Sequence, residues 1–298
     1  MIANKRLYII GNGFDLHHGI KSKYTDFENF VRINNIELFD ILEEHFEVNE
    51  LWADFEGTLA FLDTDRIEEQ ASDYLVSYNA EDWSDSFHHD YQYEIAKVIN
   101  FVTEVLKECF LKWILELEIT DIPKLLLPQS STYLTFNYTD TLEHIYQIPI
   151  TNITYIHNKA VDDKSTLILG HSRKLTSDNS FSKNTHDEWE PDDVRVEEGN
   201  IILDNYFRKT YKNTEKIIRE KASFFDTLKD ITDVYILGHS LSDVDQTYFQ
   251  KIYTSVPADT IWTVTYYGDN EKSDKNEFLE MLGILPHKIN LIKMTELQ

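Results

Sequence analysis

Four stretches of the sequence place small or polar side chains directly after a short apolar run, and chemistry could reside in these. The first is Leu7-Tyr8-Ile9-Ile10-Gly11-Asn12-Gly13-Phe14-Asp15-Leu16. A β run ending in Gly-x-Gly lets the backbone turn tightly and approach a pyrophosphate, which the amides of the next helix can bind. Leu16 stands where the dinucleotide fingerprint has its third glycine, so a plain tight turn fits these residues as well. The second stretch, Tyr133-Leu134-Thr135-Phe136-Asn137-Tyr138-Thr139-Asp140, puts Asn137 at the carboxyl end of a strand. Open α/β sheets hold their ligands at that edge. The structural alternative makes Asn137 a turn former and Asp140 a helix N-cap. In the third, Ile153-Thr154-Tyr155-Ile156-His157-Asn158, the polar pair again follows an apolar strand, and a hydrogen-bonded structural histidine is the alternative. The fourth runs from Val234 through Gly238-His239-Ser240-Leu241-Ser242-Asp243-Val244-Asp245. Its small and polar residues suit the ribose or adenine side of a nucleotide, while Ser242 and Asp245 also have capping-box spacing. Leu169-Gly170-His171-Ser172 repeats the tetrapeptide Leu237-Gly238-His239-Ser240, too short a likeness to establish a duplication.

Other chemistries fit less well. Gly238-His239-Ser240 begins like a nucleophile elbow, but Ser242 replaces the closing glycine, and only His287 follows as a base. None of the eleven histidines has His-Glu-x-x-His spacing, and the lone Cys109 rules out an internal disulfide or a thiolate zinc ribbon; no metal is expected. The 53 acidic against 28 basic side chains give a formal charge of −25. Such a field repels a nucleic-acid backbone, so no direct nucleic-acid contact is expected. No apolar stretch approaches the roughly 20 residues of a membrane span. With no signal-peptide pattern ahead of Arg6, a reducing, cytoplasmic compartment is the expectation.

The elements that must position these residues read as α/β. Apolar or β-branched runs at Arg6–Ile10, Thr132–Phe136, Thr151–Ile156, Thr166–Leu169, Asp233–Leu237, Thr260–Tyr267 and Ile289–Met294 predict strands. Helical patterns at Thr214–Lys229 and Ser242–Tyr253 lie between several of them. That alternation predicts a Rossmann-like, mainly parallel sheet with helices on both faces. Thr25 and Glu28 have capping-box spacing, and from there the chain reads as mostly helical. One broad apolar face recurs through Tyr91–Leu117. The domain reading is a single unit over 1–298, with a large helical insert at 30–127 after the first strand unit and a mobile loop at 173–200.

The order of the segments is more specific than any one of them. Gly11-Asn12-Gly13-Phe14-Asp15-Leu16, Trp52-Ala53-Asp54-Phe55-Glu56, Phe136-Asn137-Tyr138-Thr139-Asp140-Thr141-Leu142-Glu143 and Gly238 through Asp245 together resemble the AbiH family of bacteriophage abortive-infection proteins. These proteins in turn resemble sirtuin-like NAD-consuming defence domains. The resemblance implies that Asn137 positions water at the nicotinamide ribose and that His157 acts on ribose hydroxyls. It implies a phosphate- and ribose-binding turn at Gly11, Asn12, Gly13 and Phe14. Tyr138, Asp140, Gly238, His239, Ser240 and Asp243 complete the implied nucleotide contacts, and Asp15 would bond the ribose or stabilise developing positive charge. Asn158 departs from the glycine that usually follows the histidine, Thr139 separates Tyr138 from Asp140, and Asp15 is unlike the small polar residue common in sirtuins.

The expected function is therefore phage defence by hydrolysis of NAD+, with NAD as substrate, to nicotinamide and ADP-ribose. A non-catalytic nucleotide-binding sensor or partner-binding module is the alternative. The resemblance leaves room for a phage or host protein as trigger and for a homo-oligomer.

Overall fold

The apolar runs become strands in the computed structural model, which describes residues 5–80, 84–183 and 193–297. Six strands, β1 (Arg6–Ile10), β2 (Thr132–Thr135), β3 (Ile153–Tyr155), β4 (Asp233–Leu237), β5 (Ile261–Tyr266) and β6 (Ile289–Lys293), form a sheet in the order β3-β2-β1-β4-β5-β6. Every pairing is parallel. The chain leaves β1 toward β2 and β3 on one side and returns on the other as β4. The carboxyl end of β1 is thus a topological switch point, as the Rossmann-like expectation requires.

Strand periodicity divides the core. Leu7 and Ile9 face one side, with Leu134, Val234, Ile236 and Val264, under Tyr248, Phe249 and Ile252 of helix Gln246–Ser255 and Phe278 and Leu279 of helix Asp269–Met281. Tyr8 and Ile10 face the other, with Tyr133, Leu237 and Leu142, Ile145 and Tyr146 of helix Thr141–Tyr146. Tyr8 pairs in register with Tyr133 and Tyr235, and its ring stacks between theirs at 5.1 and 4.9 Å. Burial on both faces explains why the strands read as near-continuous apolar runs.

Two compact units divide the chain. The sheet unit comprises Met1–Asp26, Leu111–Ile168 and Asn213–Gln298; the helical unit comprises Phe27–Phe110 and Leu169–Lys212. The helical unit therefore draws on residues after β3 as well as on most of the insert read at 30–127, whose residues 111–127 belong to the sheet unit. Its aromatic centre includes Phe27, with Phe55 and Phe110 edge-on at 5.4 and 5.2 Å, and Trp52 stacked on Phe55. The Trp52–Glu56 motif is accordingly a packing element. Asp54 caps the short helix Phe55–Thr58, and Glu56 pairs with Lys212.

Several local expectations change. Thr166–Leu169 forms no strand; Ile168 instead donates its N–H to the His157 carbonyl and accepts from the Tyr138 hydroxyl. Thr25 lies inside helix Tyr24–Asn34, where Asp26 accepts from the Lys23 N–H, so no Thr25–Glu28 capping box forms. The long helix is interrupted: Asp90–Asn100 passes through a π turn at Phe101–Val105 into Leu106–Leu115. Of the segment read as a loop at 173–200, residues 184–192 lie outside the described residues, and helix Val194–Thr210 begins within it.

Candidate functional site

The switch point is closed by backbone. After β1, the N–H groups of Gly11 and Gly13 donate to the carbonyls of Leu237 (3.0 Å) and Gly238 (2.7 Å), and that of Phe14 to Gly11 (2.9 Å). A Cβ on Gly11 would lie 2.5 Å from the His239 Cα, one on Gly13 2.8 Å from the Gly238 oxygen, and one on Gly238 2.1 Å from the Phe14 nitrogen. Gly238 also has φ +67°, which favours glycine. All three glycines therefore let the turn after β1 touch the turn after β4. The amides of Gly11, Gly13 and Phe14 are committed to protein carbonyls. Asn12 exchanges side-chain bonds with Ser22, and the Phe14 ring is fully buried beside His18 and Tyr146.

From β2 the chain continues through Phe136–Thr141, and its side chains alternate between two buried clusters. Odd positions gather at Asp15. Thr139 Oγ1 donates to Asp15 Oδ2 at 2.6 Å, and Thr141 Oγ1 to Thr139 Oγ1 at 3.0 Å. The Asn137 side-chain amide donates to the Gly11 carbonyl at 3.2 Å. Asp15 is 1% exposed, and its Oδ1 has no partner at hydrogen-bonding geometry among the described residues. Burial pushes its pKa up to about 6, although Thr139, Thr141 and Asn137 lie near enough to favour the charged form.

Phe136 and Tyr138 gather at the histidines. The Phe136 ring meets His157 and His239 edge-on at 5.4 and 4.4 Å, and Tyr138 stacks on His157 at 6.1 Å. Between the imidazoles sits Asp245, its Oδ1 3.9 Å from His157 Nε2 and its Oδ2 3.4 Å from His239 Nε2. His239 Nδ1 accepts the Leu241 N–H at 2.9 Å, so the proton of its neutral ring is on Nε2, facing the carboxylate. All three side chains are buried. Asn158, directly after His157, and Leu241, two residues after His239, share a conformation, with φ 66° and 60°. Asparagine tolerates this left-handed region better than most other non-glycine residues, so Asn158 holds a backbone geometry that favours glycine. Leu241 holds it at a cost of about 1 kcal/mol.

The structure thus brings Asp15 and Asn137 together, and separately His157 and His239. Ser240 and Asp243 are exposed and outside both clusters. Asp140 precedes helix Thr141–Tyr146, where its carbonyl, not its carboxylate, takes the first helical bonds. Thr139, Thr141 and Asp245 were not singled out by their sequence. Ser242 and Asp245 have capping-box spacing, but the Ser242 side chain makes no cap bond and the Asp245 carboxylate lies between the histidines. Spacing gave no signal for this, because a capping acid and an inward acid look alike. Among the described residues no group of three or more His, Cys, Asp or Glu is arranged to hold a metal ion, and no helix is long and apolar enough to cross a membrane.

A parallel sheet in this strand order, with buried polar groups past the carboxyl ends of β1 to β4, defines an α/β protein of the doubly wound, Rossmann-like class. Residues 7–266 match the family described as bacteriophage abortive infection AbiH. The chain belongs to that family, which implies a role in abortive infection of phage. Comparison with curated proteins and with solved structures gives no match.

Proposed function

We propose that the chain serves abortive infection by binding NAD+ at the carboxyl edge of the sheet and hydrolysing it to nicotinamide and ADP-ribose. The observation that carries this reading is Asp15, a buried carboxylate with one unsatisfied oxygen, beside Asn137 at the switch point. A buried acceptor left open is costly, and a ligand hydroxyl or water would satisfy it. In the reaction the C1′–nicotinamide bond breaks with its electron pair passing to the pyridinium ring, so nicotinamide leaves neutral. Water adds at C1′ and releases a proton. Asp15, ionised above about pH 6, would stabilise the oxocarbenium-like state. Asn137 would orient the water, and His157 would hold or deprotonate a ribose hydroxyl. The resemblance to sirtuin-like domains read from the sequence implies the same roles for Asn137 and His157, and does not extend to Asp15.

The test is incubation of purified protein with NAD+, following nicotinamide and ADP-ribose by chromatography, with melting curves in parallel. Turnover is expected to rise as pH passes about 6 and to disappear in Asn137→Ala and His157→Ala variants that still melt cooperatively. Undiminished NAD+ loss in both variants would sink the mechanism. The sensor reading is favoured by one feature, the engagement of the Asn137 amide with Gly11. It would be supported by NAD+ raising the melting temperature with no product formed.

A further inference from the structure

Within the helical unit lies a cavity of about 730 Å³, of a size that takes small molecules. Its walls are built to hold a shape. Gly199 sits inside helix Val194–Thr210, where glycine costs up to about 1 kcal/mol relative to alanine. A Cβ there would stand 2.6 Å from Tyr91 Cε1, so the glycine is what admits the Tyr91 ring. On another wall, Ser180 and Phe181 are pinned by the fully buried Asp204. That carboxylate accepts from Ser180 Oγ at 2.7 Å, Ser182 Oγ at 2.7 Å and the Phe181 N–H at 2.9 Å. Burial opposes its charge, but these donors outweigh it and hold its pKa below the usual carboxylate range.

Two buried polar side chains that line this space are unmatched. Tyr91 is 2% exposed and Asn200 4%, yet neither the hydroxyl nor the amide has a hydrogen-bond partner among the described residues. Glu68 and Glu69 line the cavity with no cationic partner among those residues. Burial, then the nearby Asp65, pushes the half-buried Glu68 carboxyl up. Arg173, the cation on the wall, is already engaged: Nη1 donates to the Ala60 carbonyl at 3.0 Å, and the guanidinium lies 4.9 Å from the Phe207 ring centre. What remains is negative charge, open acceptors and the aromatic faces of Tyr91 and Phe181. This chemistry recognises a positive charge that carries N–H donors.

We propose that this cavity binds a small organic cation, an ammonium or guanidinium compound, whose charge pairs with Glu68 and Glu69 and whose donors reach Tyr91 and Asn200. The site is independent of any activity at the sheet edge. Agmatine carries both groups and is the probe, titrated calorimetrically at about 0.15 M salt to screen general attraction to an acidic chain. Saturable 1:1 binding is expected, weakened about tenfold by Glu68→Gln and several-fold by Tyr91→Phe, which keeps the ring against Gly199. Glu69→Gln should weaken it in the same sense and covers the case in which Glu68→Gln disturbs folding. Glu277→Gln, an exposed acid of the sheet unit, should leave it unchanged. Absence of saturable binding, equal losses in Glu277→Gln and Glu68→Gln, or tighter binding of the dianion succinate would each overturn the assignment.

Discussion

Leu169-Gly170-His171-Ser172 in the helical unit and Leu237-Gly238-His239-Ser240 in the sheet unit share a sequence and half of a structure. The backbones obey the same logic. A Cβ on Gly170 would fall 1.9 Å from the Thr210 carbonyl oxygen, and one on Gly238 2.1 Å from the Phe14 nitrogen. In both places another segment occupies the space of a side chain. The histidines even share a tautomer, for different reasons. Thr210 Oγ1 gives its proton to the Tyr206 carbonyl, so His171 must donate from Nε2 to that hydroxyl at 3.0 Å. His239 carries its proton on Nε2 because Nδ1 accepts from Leu241. The partners then diverge, a hydroxyl for His171 and the Asp245 carboxylate for His239. Burial, then the Arg173 charge, pushes the His171 pKa down to about 4 and keeps that ring neutral. A tetrapeptide can dictate backbone packing while the residues it meets decide its chemistry.

The largest expected effects break what the two copies share. Gly170→Ala and Gly238→Ala should each cost about 3 kcal/mol or more, at the upper end for single substitutions. Denaturant unfolding measures the loss, and hydrogen exchange should place the loosening in the helical unit for the first and at the ends of β1 and β4 for the second. Stability of either variant within 1 kcal/mol of the parent would remove the close-approach argument.

Acidification should separate the units. His171 has a folded pKa below its unfolded value of 6.5, so its stability contribution is complete above that pH and is lost as pH falls toward 4, by about 3 kcal/mol. Asp15 acts in the opposite sense. Its folded pKa is raised from 3.8 to about 6, so it favours the fold most below pH 3.8 and loses that contribution, also about 3 kcal/mol, as pH rises through 6. The two nearly cancel in the parent. Asp15→Asn should therefore steepen the loss of stability between pH 6.5 and 4, and His171→Gln should reverse it. Parallel pH profiles for the parent and both variants would contradict both shifts.

A smaller effect should follow Asp245→Asn, which keeps the shape but removes the charge between the histidines. The expected loss is about 1–2 kcal/mol of stability, because a charge-assisted contact to His239 becomes a neutral one. At the other copy, Thr210→Val should cost a similar amount by leaving the buried His171 N–H without its acceptor. Smallest of all, Ser172→Ala and Ser240→Ala alter exposed hydroxyls and should stay within about 0.5 kcal/mol in thermal melts.

Much of the sheet was legible because burial on both faces writes itself as apolar runs: Arg6–Ile10 and Asp233–Leu237 begin and end where the sequence placed them. Asn137 and His157 were legible as strand-end polar groups, since the position alone marks the ligand edge. Thr166–Leu169 misled because β propensity does not reveal whether a neighbour offers an edge, and the Ile168 backbone bonds instead to His157 and Tyr138. Asp245 and Asp204 were illegible for a common reason. Local spacing describes a residue's own turn, and both carboxylates serve groups far along the chain or buried beside them. The Gly11-Asn12-Gly13 spacing fits a ligand-binding turn and a plain tight turn alike, and in the fold these glycines admit another turn.

The strand order also sets a schedule. The neighbours of β1 on the two sides, β2 and β4, begin at Thr132 and Asp233, and the clasp between Gly13 and Gly238 spans nearly the whole sheet unit in sequence. At about 5–20 residues per second, a ribosome needs roughly 10–45 s after finishing β1 before it has made β4. During that interval a growing chain that has paired β1 with β2 still presents the opposite edge of β1, made of Leu7, Tyr8, Ile9 and Ile10, to whatever it encounters. Synthesis speed and chaperone supply therefore act on this protein most strongly before β4 exists.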